Sequence, residues 1–286
     1  MTGSPGPATV PPGGRPATVF FLSDYGLRDG FVGVVHAVLR RLAPEAAVVD
    51  LAHELPPFDV RAGAEALVRA VPHLGPGVVL GVVDPGVGGG RRGLVVEAGG
   101  PAGALWLVGP DNGLLVPAAE AAGGIRRAVA LPVDPEAAPT FDGRDVFAPA
   151  VAALCRGEPA EALGPLVDGG QLARLPPPVC QRGSAPDGRP VLRAEVTWVD
   201  RFGNAQLAAP GDTLPPDVVE VTVVPAAAGP RAPSVTAPRV RAFADLVPGQ
   251  IGLLVDANGR LAVVVREGSA AHRLGVVPGD VVDLSW

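Results

Sequence analysis

The feature that most restricts the fold of this chain is a change in hydrophobic periodicity that occurs after about residue 175. Before that point, short apolar runs alternate with segments in which apolar residues recur every three or four positions, the spacing of one helix face. Strands that alternate with helices in this way predict a parallel or mixed α/β sheet. The predicted strands are 17–22, 47–51, 78–83, 94–96 and 106–109, and the predicted helices are 31–42, 60–71 and 150–156.

The helical periodicity nearly vanishes in the last third of the chain. Five apolar runs remain, and they are predicted as strands at 191–200, 218–224, 251–255, 261–265 and 281–284. Such a series of strands is typical of a smaller all-β domain, either a barrel or a sandwich. Prolines cluster between the two parts, which marks a linker. The predicted organisation is an α/β domain over 17–174, a linker over 175–190 and an all-β domain over 191–286.

Composition excludes several classes of function and location. The first 16 residues are rich in Pro, Gly and Thr and are predicted to be a disordered tail, not a signal peptide. No apolar run approaches the length of a membrane span. The net charge of -6, without an evident basic face, argues against nucleic acid. Two cysteines make no disulfide framework, as is usual in a reducing cytoplasm, so we expect a cytoplasmic protein with no membrane partner.

Four aspartates lie at or just past the ends of predicted strands. They are Asp24, Asp50, Asp84 and Asp111. In open α/β sheets, ligands bind beyond the carboxyl ends of the strands. The sequence therefore predicts a ligand site at this edge of the sheet.

A glycine-rich stretch from Gly81 to Gly93 connects one of these strand ends to the next apolar run. It contains Asp84 and, seven residues later, Arg91, and a carboxylate facing an arginine across a glycine loop can hold a small polar reactant. The spacing also fits a dinucleotide-binding pattern, but such a loop must open a helix whose amides face the phosphates. Here the glycines lead into a strand-like segment. A glycine-rich hairpin with incidental charge is the alternative.

Seven segments, taken in order, resemble those of one family. They are SDYG with DG (23–30), HELPPFD (53–59), DPGVG (84–88), GPDNG (109–113), TF-x-GRD (140–145), DRFGN (200–204) and GSAA with LG (268–275). Residues 17–286 resemble the S-adenosyl-L-methionine (SAM) hydroxide adenosyltransferases, the adenosine-forming SAM hydrolases related to the SAM-dependent fluorinase and chlorinase.

The resemblance implies an N-terminal α/β domain with a central, mostly parallel sheet and a C-terminal β-barrel domain. It also implies a homotrimer that binds SAM between the N-terminal domain of one subunit and the C-terminal domain of the next. SAM, adenosine and L-methionine are the implied ligands, without a cofactor.

The resemblance also implies which residues bind the substrate. They are Asp24, Asp29, Phe58, Thr140, Phe141, Asp200, Phe202, Asn204, Asn258 and Val265. Asp24 would hold the ribose hydroxyls, and Phe58 would line the sugar or adenine pocket. Asp200, Phe202 and Asn204 would contact the methionine end and the adenine.

The implied catalytic residues are Asp84, Arg91 and Asp142, with one departure from the family. The hydrolases handle water with an aspartate, an arginine seven residues later and a histidine in the TF-H-GRD motif. Asp84 and Arg91 match, but Asp142 stands where the histidine is expected. Two close carboxylates can share a proton and provide a general base, or can form a structural ion cluster with Arg91 and Arg144.

Three functions follow from these residues. The first is hydrolysis of SAM to adenosine and L-methionine by attack of water or hydroxide on C5′. The second is a SAM-dependent halogenase, which Asp84 argues against, since the halogenases resembled here carry a tyrosine at that position. The third is a SAM- or adenosine-binding protein that lost turnover with the histidine. No His, Asp or Glu spacing requires a metal, and His53 is expected to brace a strand-end turn.

Overall fold

In the computed structural model, the described residues are 18–100, 103–132, 138–226 and 234–286. The chain divides into two compact units, Met1–Leu175 and Pro176–Trp286. The predicted disordered tail, residues 1–16, lies outside the described residues.

A seven-stranded sheet forms the centre of the first unit. Its strands are β1 (Thr18–Ser23), β2 (Ala47–Ala52), β3 (Gly77–Val82), β4 (Gly93–Gly100), β5 (Gly103–Pro110), β6 (Ile125–Leu131) and β7 (Leu166–Val167). Their spatial order is β2-β1-β3-β5-β4-β6-β7. Strands β2, β1, β3 and β5 run parallel, whereas β4, β6 and β7 make antiparallel pairs.

The predicted α/β class is confirmed, and the sheet is mixed. Strands β4 and β5 pair as far as Gly100 and Gly103. So short a connection can join only antiparallel strands, because a parallel pair needs a long crossover. Strand β5 is parallel to β3 although no helix connects them, because the chain first runs back through β4 on the far side of β5.

Four α-helices lie among the described residues of this unit. They are α1 (Phe31–Leu42), α2 (Val60–Ala70), α3 (Val116–Ala121) and α4 (Ala148–Arg156). Helices α1 and α4 bury their apolar residues in the same core cluster, and α4 is preceded by a wider π turn, Gly143–Phe147. The Asp59 carboxylate caps α2 by accepting from Ala62 N at 2.9 Å. Among the described residues, no helix combines the length and the apolar character that crossing a membrane requires.

The second unit is a β-barrel, and its described residues include one short α-helix. Its elements are β8 (Cys180–Ser184), β9 (Pro190–Val199), β10 (Ala205–Pro210), β11 (Glu220–Pro225), β12 (Val235–Pro238), β13 (Ile251–Val255), β14 (Arg260–Val265), α5 (Ala270–Leu274) and β15 (Val281–Ser285). The strands follow the order β12-β11-β15-β9-β10-β14-β13, with β8 beside β9. The barrel closes just after β12, where Arg239 bridges to Leu253 and Val240 N donates to Leu253 O at 2.9 Å.

Three strands of the second unit were not predicted from the sequence. Strand β8 lies inside the range 175–190 that composition predicts as a linker, and every one of its residues is exposed. It is recognised only by its pairing with β9, because a fully exposed edge strand leaves no apolar pattern. Strand β10 is rich in alanine, and β12 has four residues that end in proline, so neither carries a strong strand signal.

Candidate active site

The carboxyl ends of β1 and β3 lie side by side and carry two of the predicted site residues. Asp24 directly follows β1, and its N–H donates to the carbonyl of Val82, the last residue of β3, at 3.2 Å. Asp84 follows Val82 by two residues. Because parallel strands end at the same edge, both aspartates lie at the edge where α/β sheets bind ligands.

Arg91 bridges Asp84 and Asp142. Its Nε donates to Asp84 Oδ1 at 3.0 Å, and its Nη2 donates to the other Asp84 oxygen and to Asp142 Oδ2. The side chains of Arg91, Asp84 and Asp142 are 14%, 6% and 16% exposed. A two-pronged guanidinium–carboxylate contact with so little solvent is strong and fixed in geometry. The three residues implied to be catalytic are thus neighbours in the fold.

Gly88 allows the loop that carries Arg91 to approach the segment that carries Asp142. Gly88 has a φ of 73°, and a Cβ there would lie 2.2 Å from the carbonyl oxygen of Pro139. The loop after β3 therefore packs directly on the segment that leads to Asp142. The glycine-rich stretch is not a hairpin, since β5 lies between β3 and β4.

The charge of Arg91 is maintained by its neighbours. Burial by itself lowers the pKa of Arg91, but the hydrogen bonds and charges of Asp84 and Asp142 outweigh it and raise that pKa. The guanidinium carbon also lies 5.2 Å from the centroid of the Phe147 ring, within cation–π range. One permanently charged arginine therefore serves two carboxylates.

Arg144, expected near this ion cluster, is engaged elsewhere. It donates to the two oxygens of Asp145 at 2.6 and 2.7 Å, which lowers the pKa of Asp145. Its guanidinium carbon lies 5.0 Å from the centroid of the Phe141 ring. Arg144 therefore pairs with its neighbour in the chain and not with the Asp84–Arg91–Asp142 cluster.

Tyr25 is a site residue that the sequence analysis did not select. A Cβ on Gly143 would lie 2.2 Å from the Tyr25 hydroxyl oxygen, so the phenol packs against the residue that follows Asp142. Burial raises the pKa of Tyr25 well above its usual range, and the charges of Asp24, Asp84 and Asp142 raise it further. The phenol therefore stays protonated and is a hydrogen-bond donor. One signal was available, since this is the only tyrosine in the chain and it directly follows Asp24.

Asp24 also fixes the turn that carries Phe58. Its Oδ2 accepts from Phe58 N at 2.8 Å. Phe58 has a φ of 68°, a left-handed conformation that is unfavourable for a non-glycine residue. Its side chain is nevertheless 73% exposed. A strained backbone that presents an exposed aromatic ring is typical of a binding surface.

The other predicted residues of this unit differ in burial. Phe141 is half-buried and packs edge-on against Tyr25 and Phe31, with centroids 5.7 and 5.2 Å away. Thr140 and Asp29 are exposed. Their predicted contacts with a substrate remain predictions.

Two of the four strand-end aspartates are held by other partners. Asp111 accepts from Arg92 Nε and Nη2 at 2.9 and 2.6 Å and from Ala173 N at 2.8 Å, and it is 5% exposed. This arrangement ties the end of β5 to the end of the unit. Asp50 lies within β2, beside His36 and His53. Asp24, by contrast, lies close enough to Tyr25 to raise its pKa, as Asp84 and Asp142 also do.

In the second unit, three predicted residues belong to the β9–β10 hairpin. Asp200 Oδ1 accepts from the N–H groups of Phe202 and Asn204, each at 2.9 Å, and Oδ2 accepts from Asn204 Nδ2 at 2.8 Å. Asp200 thus shapes the turn, while the Phe202 side chain is 75% exposed. Gly203 packs on the start of α5, where a Cβ would lie 2.1 Å from Ser269 Oγ. The turn is rigid and presents an aromatic ring to solvent.

The two remaining residues lie in or beside the β13–β14 hairpin. Asn258 is exposed in its turn, where its N–H donates to Asp256 Oδ1 at 2.8 Å. Val265 is 6% exposed, and its side chain belongs to the barrel core. Any contact of Val265 with a ligand would therefore involve its backbone.

The geometry can be compared with known proteins. Residues 19–164 match the SAM hydroxide adenosyltransferase N-terminal domain, and residues 194–283 match the C-terminal domain. The chain belongs to the SAM hydroxide adenosyltransferase family. Asp84, Arg91 and Asp142 all lie within the residues that match the N-terminal domain of this family.

Relatives in this family cover nearly the whole chain. The (R)-S-adenosyl-L-methionine hydrolase of Salinispora tropica is 46% identical over 92% of this chain and 95% of its own length. The hydrolase of the same name from Thermus thermophilus is 43% identical over 93% and 98%. The crystal structure of an uncharacterized conserved protein from Thermotoga maritima has a TM-score of 0.81 at 30% identity, covering 93% of this chain and 99% of that one. The fluorinase of Actinopolyspora mzabensis is more distant, at 27% identity over 68% of this chain and 72% of its own.

Proposed function

We propose that this protein hydrolyses SAM to adenosine and L-methionine. The observation that carries the proposal is the nearly buried Asp84–Arg91 pair at the carboxyl edge of the sheet, in a chain whose relatives are named SAM hydrolases. An oxygen of water or hydroxide attacks C5′ of SAM, and the C5′–S bond breaks. Its electron pair goes to the sulfur, which leaves as the neutral thioether of methionine, and the water proton is released.

The chemistry requires positioning more than acid assistance. A sulfonium is already a good leaving group, so the step needs neither protonation of sulfur nor a redox cofactor. What accelerates it is a water held in line with the C–S bond. Asp84 accepts from such a water, and Arg91 fixes Asp84 through two hydrogen bonds.

The charges at the site favour water over a halide. Asp24, Asp84 and Asp142 together outnumber Arg91, so the cluster is formally negative. A negative site repels chloride or fluoride, whereas a carboxylate accepts a hydrogen bond from water. The distribution of charge therefore supports a hydrolase over a halogenase.

Substrate binding is proposed for two sets of residues, one in each unit. Asp24 holds the ribose hydroxyls, and Phe58 covers the sugar or adenine. Asp29 lies in the same loop as Asp24, and Thr140 and Phe141 directly precede Asp142. In the barrel unit, Phe202 and Asn204 contact the nucleoside and the methionine end through the turn that Asp200 shapes. The turn of Asn258 and the backbone of Val265 supply further contacts.

We further propose a cytoplasmic homotrimer in which the two sets of binding residues come from neighbouring subunits. This proposal rests on the family resemblance, which implies a homotrimer with interface sites, and it agrees with the division of the predicted substrate residues between two compact units. Light scattering of the purified protein measures the assembly directly. A stable monomer that binds adenosine would contradict it.

One assay tests the proposed function. Purified protein is incubated with SAM in heavy-oxygen water, and the products are separated by chromatography and weighed by mass spectrometry. We expect equal amounts of adenosine and methionine, with the heavy oxygen on the adenosine. Formation of 5′-chloro-5′-deoxyadenosine in added chloride would indicate a halogenase, and bound adenosine without turnover would indicate a binding protein.

The Asp24→Ala variant should lose nucleoside binding. A carboxylate that accepts from both ribose hydroxyls makes charge-assisted bonds that alanine cannot replace, and the loss should be about 2–4 kcal/mol. Asp24→Asn is the matched variant, because its amide oxygen can still accept from Phe58 N–H while the charge is removed. Calorimetry of adenosine binding gives both values. Unchanged affinity in Asp24→Ala would refute the assignment.

The Tyr25→Phe variant should turn over more slowly without losing affinity. The charges of Asp24, Asp84 and Asp142 raise the pKa of the Tyr25 phenol, which we expect to donate to the water held there, so its removal should lower kcat about 5- to 30-fold. Phe31→Leu is the control, since it alters the same aromatic cluster without removing a hydroxyl. Steady-state kinetics separate kcat from KM, and an equal fall in both variants would assign Tyr25 to packing alone.

A further inference from the structure

Three side chains of types that can bind a metal lie together in the first unit, and they are not part of the Asp84–Arg91–Asp142 cluster. His36 on α1, Asp50 on β2 and His53 after β2 each direct one ligand atom to the same point. Asp50 Oδ1 lies 2.8 Å from His36 Nε2 and 3.0 Å from His53 Nε2. The ligand atoms all lie within 4.8 Å of one another.

The three side chains differ in their exposure to solvent. The His53 side chain is only 3% exposed, whereas those of His36 and Asp50 are 35% and 43% exposed. Solvent therefore reaches the point where the three ligands converge. A cation at that point would keep a position for water.

One ring nitrogen of His53 is already held by a hydrogen bond within the fold. Its Nδ1 lies 2.7 Å from Oγ of Ser23, which is fully buried. Histidine ligands usually engage the second ring nitrogen in such a hydrogen bond, which fixes the tautomer and the ring orientation. When Nδ1–H donates to Ser23, Nε2 presents its lone pair to the cluster.

That Nε2 atom lacks a hydrogen-bond partner within the described part of the chain, although it is buried. Asp50 is within ion-pair distance of it, but the direction of approach is not that of a hydrogen bond. A buried ring nitrogen that faces a carboxylate without a well-aligned hydrogen bond is unfavourable and needs an explanation. A cation between Nε2 and the carboxylate would satisfy both.

We propose that His36, Asp50 and His53 bind a divalent transition metal of the zinc type, with water as a fourth ligand. Two imidazoles and one carboxylate suit Zn²⁺ in a tetrahedral site. Metal–ligand bonds near 2.0 Å would place the ligand atoms about 3.3 Å apart, so small side-chain rotations suffice. The spacing in the sequence did not require a metal, because the fold brings His36 to Asp50 from fourteen residues away.

The metal would have a structural effect near the proposed active site. Ser23 directly precedes Asp24, and the carbonyl of His53 accepts from Gly26 N at 2.7 Å. Fixing His53 from both ring nitrogens would stiffen the turn that carries Asp24 and Tyr25. The inference does not depend on the SAM reaction and can be tested without it.

The experiment uses the full chain without a histidine tag, after removal of metals with a chelator. ZnCl₂ is titrated by calorimetry, and CoCl₂ is titrated by visible absorption, which reports tetrahedral coordination. We expect one equivalent to bind and the melting temperature to rise by about 3–6 °C at a hundredfold excess over Kd. A titration without saturable binding would overturn the proposal.

Three variants localise the binding. His36→Ala and Asp50→Asn remove partly exposed ligands and should fold, and each should weaken Zn²⁺ binding at least tenfold and abolish the tetrahedral cobalt band. His272→Ala removes an exposed histidine of the other unit and should bind like the wild type. Equal binding by all three variants would place the metal elsewhere and overturn the proposal. Circular dichroism of each variant establishes that it is folded.

Discussion

Replacing Arg91 by methionine should destabilise the first unit by about 3–5 kcal/mol, because the change leaves buried carboxylates without their cation. Arg91 is the partner of both Asp84 and Asp142, whose side chains are 6% and 16% exposed. Methionine keeps the length and the contact with Phe147 but removes the charge and every donor. The loss of stability should appear as a fall of about 6–15 °C in the melting temperature, measured by calorimetry.

A rescue experiment distinguishes charge from packing. Adding Asp84→Asn and Asp142→Asn to Arg91→Met removes the buried charges and should restore much of the stability, although not the activity. Arg193→Met is the matched control, because Arg193 makes a similar two-pronged contact with Asp283 at 2.9 Å but is half exposed. An exposed pair contributes at most about 1 kcal/mol. If both arginine variants melted alike, the cluster would not be the buried ion network described here.

Asp142→Asn should lower turnover by about 10²–10⁴-fold while leaving adenosine binding nearly intact. Asparagine keeps the shape of the side chain but loses the negative charge and the ability to take a proton. Arg91 still pairs with Asp84 in this variant, so the site should stay folded. Steady-state assay of adenosine formation and calorimetry of adenosine binding give the two quantities separately.

Two further variants make the result specific. Asp283→Asn removes a carboxylate that is paired with arginine outside the site, and it should leave turnover unchanged. Asp142→His restores the residue that the family resemblance implies and should keep or raise activity. An Asp142→Asn protein with wild-type turnover and a lowered melting temperature would make Asp142 a structural member of the ion cluster. Asp84 and Arg91 would then be the water-holding pair.

Much of the fold could be predicted because its signals are local. Helix α1 runs from Phe31 to Leu42 as predicted, since three buried residues at helical spacing define one apolar face. The buried strands β1 and β3 were predicted from continuous apolar runs. Strand β8 could not be, because its stability comes from hydrogen bonds to β9 and not from apolar side chains of its own.

The sequence by itself determined the strand–helix alternation, the all-β second part and the motifs that imply the family. Each of these depends on residues that are close together in the chain. It also determined that Asp24 and Asp84 would lie at one edge, because parallel strands align their carboxyl ends.

The tertiary structure alone decided which charged groups act together. Arg91 reaches Asp142 across 51 residues because Gly88 lets the loop pack on Pro139, while Arg144 turns to its neighbour Asp145. Asp111 instead accepts hydrogen bonds from Arg92 and from the backbone N–H of Ala173, which is 62 residues away. Contacts of this kind depend on how loops pack over the sheet, where a shift of about one ångström replaces one partner with another. A local pattern of residue types carries no information on that scale.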